Sequence, residues 1–436
     1  MTHSASDSDR LLEVHGLARV EGEGALRVVV REGQVAEVAL SIFEPPRFFE
    51  ALLRGRRHDE APDITARVCG ICPVAYQTSA CAAMEQACGV RVEGQIAALR
   101  RLLYCGEWIQ SHALHIHLLH APDFLGCQDA VGLAQTDRAA VERGLRLKRT
   151  GNLLMETVGG RAIHPVNVRL GGFHRAPGRA ELEALRPHLE QAVEDAAATI
   201  SWVAKFDFPD VEQDYLFVSL VGDGLYPIES GRVGTSHGWD LAVEDFEPLV
   251  IEDHVERSTA LHARLEGRDP YLTGPLARYA LNSERLPEEV RRAAGAAGLG
   301  AVCRNPFQSI VVRAVELLYA CQEALRLIDG YQPPDPPAVE VPARAGAGTG
   351  GSEAPRGLLL HRYEIDAEGI IRAARLVPPT SQNQLSIEAD LRRVVEDGLQ
   401  LPDPELTWRC EQAVRNYDPC ISCAAHFLEV SVERRA

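Results

Sequence analysis

Arg67-Val-Cys69-Gly-Ile-Cys72 near the start of the chain and Asp418-Pro-Cys420-Ile-Ser-Cys423-Ala-Ala-His426 near its end decide how everything between them is read. A two-residue spacer lets one turn aim two thiols the same way, so each pair can grip one ion and four thiolates can enclose a metal site. Zinc ribbons usually set their pairs about 15–20 residues apart. Here they stand at opposite ends of 436 residues. A site built from both must therefore draw the two ends of the chain together inside the fold. On spacing alone, a structural zinc staple stays open beside a catalytic metal centre.

The other seven cysteines (Cys81, Cys88, Cys105, Cys127, Cys303, Cys321 and Cys410) sit singly among apolar neighbours and read as small core residues. An odd total of 11 speaks against a disulfide framework. Lys and Arg number 45 against 62 Asp and Glu, a net charge of −17, which excludes nucleic acid and anionic lipid as natural partners. The opening residues carry neither the basic start nor the apolar run of a secretory leader, and no apolar stretch is long enough to span a bilayer. The expectation is a cytoplasmic protein.

Residues 11–44 alternate apolar and polar around Arg31-Glu-Gly-Gln-Val35, predicting short antiparallel strands and a tight turn. Helical spacing runs from Ile96 to about His120, with Pro122 as the stop. A second long helix runs through Leu182 and Val203, kinked at Pro187; a third opens at Pro306 and ends at Gly330. The Pro-, Ala- and Gly-rich segment of about 331–352 reads as an irregular surface connection. A hairpin with its turn at Asp366-Ala-Glu-Gly369 follows, then short helices through Ile387–Leu399 and Trp408–Tyr417. The fold class is mainly α with small β-sheets (α+β).

With their flanking residues, the two cysteine motifs resemble the signature pair of the nickel–iron hydrogenase large subunit. Arg19-Val-Glu21-Gly resembles that family's early RxEG segment, and Arg47-Phe-Phe-Glu50 its RGFE segment. Ser111–Phe124 is similar to its histidine-bearing helix and acidic turn. Gly159–Gly172, Asn305–Ala320, Glu353-Ala-Pro355-Arg356-Gly and Val377-Pro-Pro-Thr380 follow in the family's order, so the likeness spans the chain. Its wording is most like the cytoplasmic NAD(P)-linked and sulfhydrogenase branch. The implied architecture is one domain over residues 1–436, a long-helix bundle with the metal site buried between the N- and C-terminal segments.

The resemblance implies a site residue by residue. Nickel would be bound by Cys69, Cys72, Cys420 and Cys423, with Cys72 and Cys423 bridging to an iron that carries carbon monoxide and cyanide. The Cys420 sulfur would be the base in dihydrogen cleavage and Glu21 the next proton acceptor, although composition alone reads Glu21 as a surface carboxylate. Glu50 and His426 would hold an outer divalent ion, usually magnesium; without the resemblance His426 is an ordinary helix-end histidine. Arg356, braced by Pro355 and paired with Asp123, would sit over the open metal position and donate to one cyanide, as a five-donor planar cation can. Thr380 or Ser381 would offer a hydroxyl to the other. His112, His115 and His120 would be hydrogen-bonded surroundings, and His164 would face the partner subunit.

Two departures stand out. Tyr76 occupies a position where many members carry histidine, and residues 427–436 follow His426 as a tail that a maturation peptidase removes in many relatives. The implied partners are a small subunit with iron–sulfur clusters, diaphorase-type subunits with flavin and NAD(P), that peptidase and a nickel chaperone. Two other readings of the function remain: an energy-converting, membrane-associated hydrogenase subunit and a non-catalytic zinc-stapled scaffold. A quinone-site relative from respiratory complex I would have lost the four cysteines.

Overall fold

The computed structural model describes residues 9–222, 224–267 and 270–425. His426 and the tail 427–436 lie outside the described residues. The alternation near the N-terminus makes a three-stranded antiparallel sheet of Arg10–Val14, Gly24–Arg31 and Gln34–Ile42. Its turn, Glu32-Gly33, uses left-handed backbone at both residues, φ 50° and 74°, the geometry whose twist suits a two-residue hairpin.

Four long helices, Gly94–Leu114, Arg138–Gly159, Arg186–Val203 and Ser309–Asp329, pack together to form the helical core. Small residues let two of them come close: a Cβ on Gly151 would lie 2.6 Å from the Gly106 carbonyl oxygen and 2.6 Å from the Gln110 nitrogen. The single cysteines Cys81, Cys105, Cys321 and Cys410 are fully buried in the main hydrophobic core and form no disulfide, as small apolar residues should be.

Three local expectations are corrected. Pro122 does not stop helicity: Gly94–Leu114 passes into a π-helical turn, His115–His120, and Pro122 sits in the first turn of a new helix, Ala121–Phe124. Proline lacks only a donor that a first turn leaves unused. The same chemistry places Pro187 at the start of Arg186–Val203 rather than at a kink, after a separate turn, Arg179–Glu183.

The third correction concerns residues 331–352. Their last part is not an irregular surface segment but a buried strand, Gly346–Ala354, paired antiparallel with Gly357–Ile365, which pairs in turn with Ile371–Val377. This strand lies on the helix Pro73–Cys88 at backbone-to-backbone range. A Cβ on Gly348 would fall 2.0 Å from the Ala83 carbonyl oxygen, and one on Gly350 would fall 2.3 Å from that of Ser79. The glycines are there because the helix backbone fills the side-chain space, not because the segment is a linker. Gly348→Ala is expected to lower stability by at least about 1–3 kcal/mol, since the clash is with backbone that cannot rotate away; a thermal melt within about 2 °C of the wild type would contradict this packing.

Candidate metal centre

The first cysteine pair is delivered by a tight ascent. A 3₁₀ turn, Ala66–Val68, gives way to extended Cys69, and Cys72 is the N-cap of Pro73–Cys88, with Pro73 in its first turn. The amides of Ile71 and Cys72 point at the Cys69 sulfur, 3.2 and 3.4 Å away. This cluster of N–H groups, with the positive end of the helix, favours a thiolate. Gln110 Nε2 ties the loop down by donating to the Ile71 carbonyl at 2.6 Å. The Glu107 carboxylate, fully buried, accepts the Val74 and Ala75 amides at 2.6 and 3.1 Å.

The second pair arrives beside the N-terminal loop. Cys420 forms an isolated parallel bridge with Glu21, through Ile421 N donating to the Glu21 carbonyl at 2.9 Å, and the Cys420 amide donates to Thr380 Oγ1 at 3.0 Å. A Cβ on Gly22 would come within 2.7 Å of Ile421 Cβ, so the glycine of the Arg-Val-Glu-Gly loop is what lets the two ends of the chain touch. Ser422 Oγ donates to Glu44, Arg47 Nη2 donates to the Ser422 carbonyl, and the Arg47 amide donates to the Ala425 carbonyl at 3.0 Å.

The result is four sulfurs within 4.8 Å of one another, all buried. Cys69 and Cys420 approach to 3.4 Å, Cys72 and Cys423 to 3.6 Å, and Cys420 and Cys423 to 2.7 Å. Hydrogen bonds from Cys420, Cys423 and Cys72 pull the Cys69 thiol well below its usual range, whereas burial pushes the Cys420 and Cys423 thiols up. Four buried thiols cannot all ionise side by side without a compensating cation, so the donor set suits a soft metal. Glu21 Oε2 accepts from Cys420 Sγ at 3.2 Å and from the Ser422 amide at 2.9 Å.

Arg356 is also at the centre, but its partner is not the expected one. Its Nε donates to the Asp418 carbonyl at 2.7 Å, its Nη2 lies 3.1 Å from the Asp418 carboxylate, and its Nη1 reaches Ser111 Oγ at 3.4 Å. Asp123 instead takes a two-pronged hold on Arg415 (2.7 and 2.8 Å) and pairs with Arg19 at 2.5 Å. The sequence pairing of Asp123 with Arg356 is thereby corrected. The π turn sets Asp123 between the N-terminal loop and the C-terminal helix Asp403–Asn416, whereas Asp418 is two residues from a cysteine. Asp418 lies inside the quoted motif, but nothing in its spacing marks it as a partner for Arg356.

The remaining candidates are placed as follows. Thr380 Oγ1 is the acceptor already named; Ser381 Oγ is buried and has no hydrogen-bond partner among the described residues. The Tyr76 hydroxyl is likewise buried and borders the sulfurs; burial first, then negative charge at Cys423, Cys72 and Cys420, pushes its pKa up. A buried hydroxyl without a partner, such as that of Ser381, fits a polar group seated nearby. Glu50 Oε1 accepts the Leu376 amide at 2.7 Å. His112 Nε2 is 3.1 Å from Glu316, His115 Nε2 is 2.9 Å from the Arg415 carbonyl, and burial drives both imidazoles, and that of His120, toward the neutral form. His164 Nδ1 lies 2.7 Å from the Ala66 carbonyl oxygen, next to the first cysteine loop.

A helix-rich protein that brings two distant stretches of its chain together around four buried thiols has the donor set of a metalloprotein. The model of the family described as nickel-dependent hydrogenase matches residues 47–145 and 301–426, and the chain belongs to that family. It is 34% identical to the alpha subunit of sulfhydrogenase 1 of Pyrococcus furiosus over 425 residues, covering 96% of this chain and 98% of that one. The alpha subunit of sulfhydrogenase 2 from the same organism is 33% identical, covering 96% and 100%. A crystal structure of an NAD+-reducing [NiFe]-hydrogenase in the H2-reduced state superposes with a TM-score of 0.86 at 28% identity, covering 96% of this chain and 99% of that one. The [NiFeSe]-hydrogenase of Dm. baculatum shares the fold, with a TM-score of 0.77 at 22% identity and coverage of 96% and 100%. This chain is the catalytic subunit of a nickel–iron hydrogenase, acting on dihydrogen, with a cysteine group that can hold the metals.

Proposed function

We propose that Cys69, Cys72, Cys420 and Cys423 would hold a nickel and an iron that carries carbon monoxide and cyanide, Cys69 and Cys420 serving the nickel and Cys72 and Cys423 serving both metals. The observation that carries this reading is the single cluster of four buried sulfurs with a carboxylate 3.2 Å from one of them. When bound, the metal pair would polarise dihydrogen and take up the electron pair of the bond as it splits heterolytically. The Cys420 sulfur takes the proton and hands it to Glu21 Oε2. Arg356, held by Asp418, presents its guanidinium to one cyanide; Ser381, Thr380 and Tyr76 supply hydroxyls to the remaining polar groups. Glu50, with His426, holds an outer divalent ion, magnesium or another: a carboxylate oxygen suits magnesium, whereas an imidazole ligand is unusual for it.

Electrons leave through a small subunit carrying iron–sulfur clusters. Its docking face is taken to be the surface where the first cysteine loop emerges. Gly70 is exposed there, Ile163 is 58% exposed and Val166 42%, and Ile163 Cγ2 lies 3.8 Å from the position of a Gly70 Cβ. Exposed aliphatics beside a buried redox centre suit a protein interface. The likeness to sulfhydrogenase alpha subunits and to an NAD+-reducing enzyme supports a cytoplasmic complex whose further subunits carry flavin and pass electrons to NAD(P). No helix among the described residues is long and apolar enough to cross a membrane. Residues 427–436 are read as a tail for a maturation peptidase, acting after a nickel chaperone has delivered the metal.

Purified complex is expected to contain nickel and iron in equal amounts and to show carbon monoxide and cyanide stretches in its infrared spectrum. Zinc in their place, or a spectrum without those bands, rejects the reading.

A further inference from the structure

Arg278 is fully buried, far in sequence from both cysteine pairs, and belongs to no motif. All five of its N–H donors are used. Nε and Nη2 donate to the two oxygens of Glu316 at 2.7 Å each; Nη1 donates to Glu353 Oε2 at 3.0 Å and to the Ala354 carbonyl at 2.9 Å; Nη2 also donates to the Pro355 carbonyl at 3.0 Å. Its guanidinium lies over the Trp108 ring, 4.6 Å from the centroid, and the Trp108 indole N–H donates to the Glu353 carbonyl at 2.9 Å.

The two carbonyls it grips belong to the residues immediately before Arg356. From the other side, the Arg356 carbonyl packs against Gly274, where a Cβ would come within 2.7 Å of its oxygen. The backbone that carries Arg356 is thus anchored to the helices Ser309–Asp329, through Glu316, and Gly94–Leu114, through Trp108. Glu316 is itself held by the Tyr226 hydroxyl at 2.8 Å. Burial raises the Glu316 carboxyl, but the adjoining Arg278 outweighs it and holds the group down to about 2, so the pair stays ionised.

We infer that Arg278 is a positioning residue for the hydrogenase reaction: by clamping the Ala354 and Pro355 carbonyls it sets the height and angle of the Arg356 guanidinium above the four sulfurs. This rests on the reading that Arg356 faces the metal pair. Only a planar fork can serve two carboxylates and two carbonyls at once, so lysine, with three donors on a point charge, cannot replace it.

The test compares holoenzymes carrying Arg278→Lys, Arg356→Lys and both changes. Arg278→Lys is expected to slow dihydrogen–proton exchange about 100-fold, the cost of an ångström-scale misplacement, with nickel and iron content retained and the cyanide stretching bands shifted. In the Arg356→Lys background it should add less than about threefold, because the residue it positions is already gone. Multiplicative losses in the double variant, or unmoved cyanide bands with activity falling only as metal content falls, overturn the inference. If Arg278→Lys does not fold, Glu353→Gln, which leaves Nη1 facing a permanently neutral group of the same size, should still shift the bands when measured above about pH 7, the value to which burial pushes the Glu353 carboxyl up; a lower melting temperature with unmoved bands overturns it equally. Should Arg356→Lys run at the wild-type rate, the reading of Arg356 falls first and takes this inference with it.

Discussion

Replacing Cys420 with serine is expected to abolish dihydrogen–proton exchange, to below about one thousandth of the wild-type rate, a barrier increase of about 4 kcal/mol. Cys420 links both halves of the cluster to the carboxylate beside it. Its sulfur is 3.4 Å from Cys69, 2.7 Å from Cys423 and 3.2 Å from the Glu21 carboxylate. Serine offers a hard oxygen that ionises far less readily than a thiol, so it serves neither as a ligand for a soft metal nor as a base at neutral pH. The backbone at 420 keeps its anchors to Thr380 and Glu21 whatever the side chain. The variant should therefore fold, and loss of exchange can be read as loss of the site. Nickel content separates the ligand role from the base role. Full exchange activity would reject the assignment of this cysteine.

Glu21→Gln is expected to slow exchange by about 10² to 10⁴, the usual worth of a positioned proton-transfer group, while leaving nickel and iron bound. Glutamine matches glutamate in size and can still accept from the Cys420 thiol and the Ser422 amide, the two contacts Oε2 makes. It cannot carry the proton onward. Isotope exchange between deuterium gas and water is the measurement, with metal analysis beside it. Loss of the metals would make Glu21 a structural residue of the loop; an unchanged rate would send the proton out by another route.

The long helices, the N-terminal hairpin and the hairpin turning at Asp366 were legible because apolar periodicity and turn residues are local signals, and each element can be read from its own residues. The errors share a cause. Gly346–Gly351 reads as part of a connection because glycine within a run of small residues signals flexibility when nothing is known of its neighbours; the helix Pro73–Cys88, more than 250 residues earlier, is what makes those glycines a strand. Pro122 reads as a stop and Pro187 as a kink because a proline can end, bend or begin a helix, and only packing shows which.

Two cysteine pairs at the chain's extremes, with their neighbours, were enough by themselves to say that the ends meet, that thiolates gather there and which family the chain belongs to. Covalent spacing within a motif is local, and soft-ligand chemistry depends on residue type alone. What surrounds the sulfurs was decided only in three dimensions. Asp418 rather than Asp123 holds Arg356, Asp123 joins Arg19 to Arg415, and Arg278 grips the carbonyls behind Arg356. Buried charges find partners by proximity in the folded core, where leaving one unpaired is too costly, and that proximity is set by how helices cross rather than by any order along the chain.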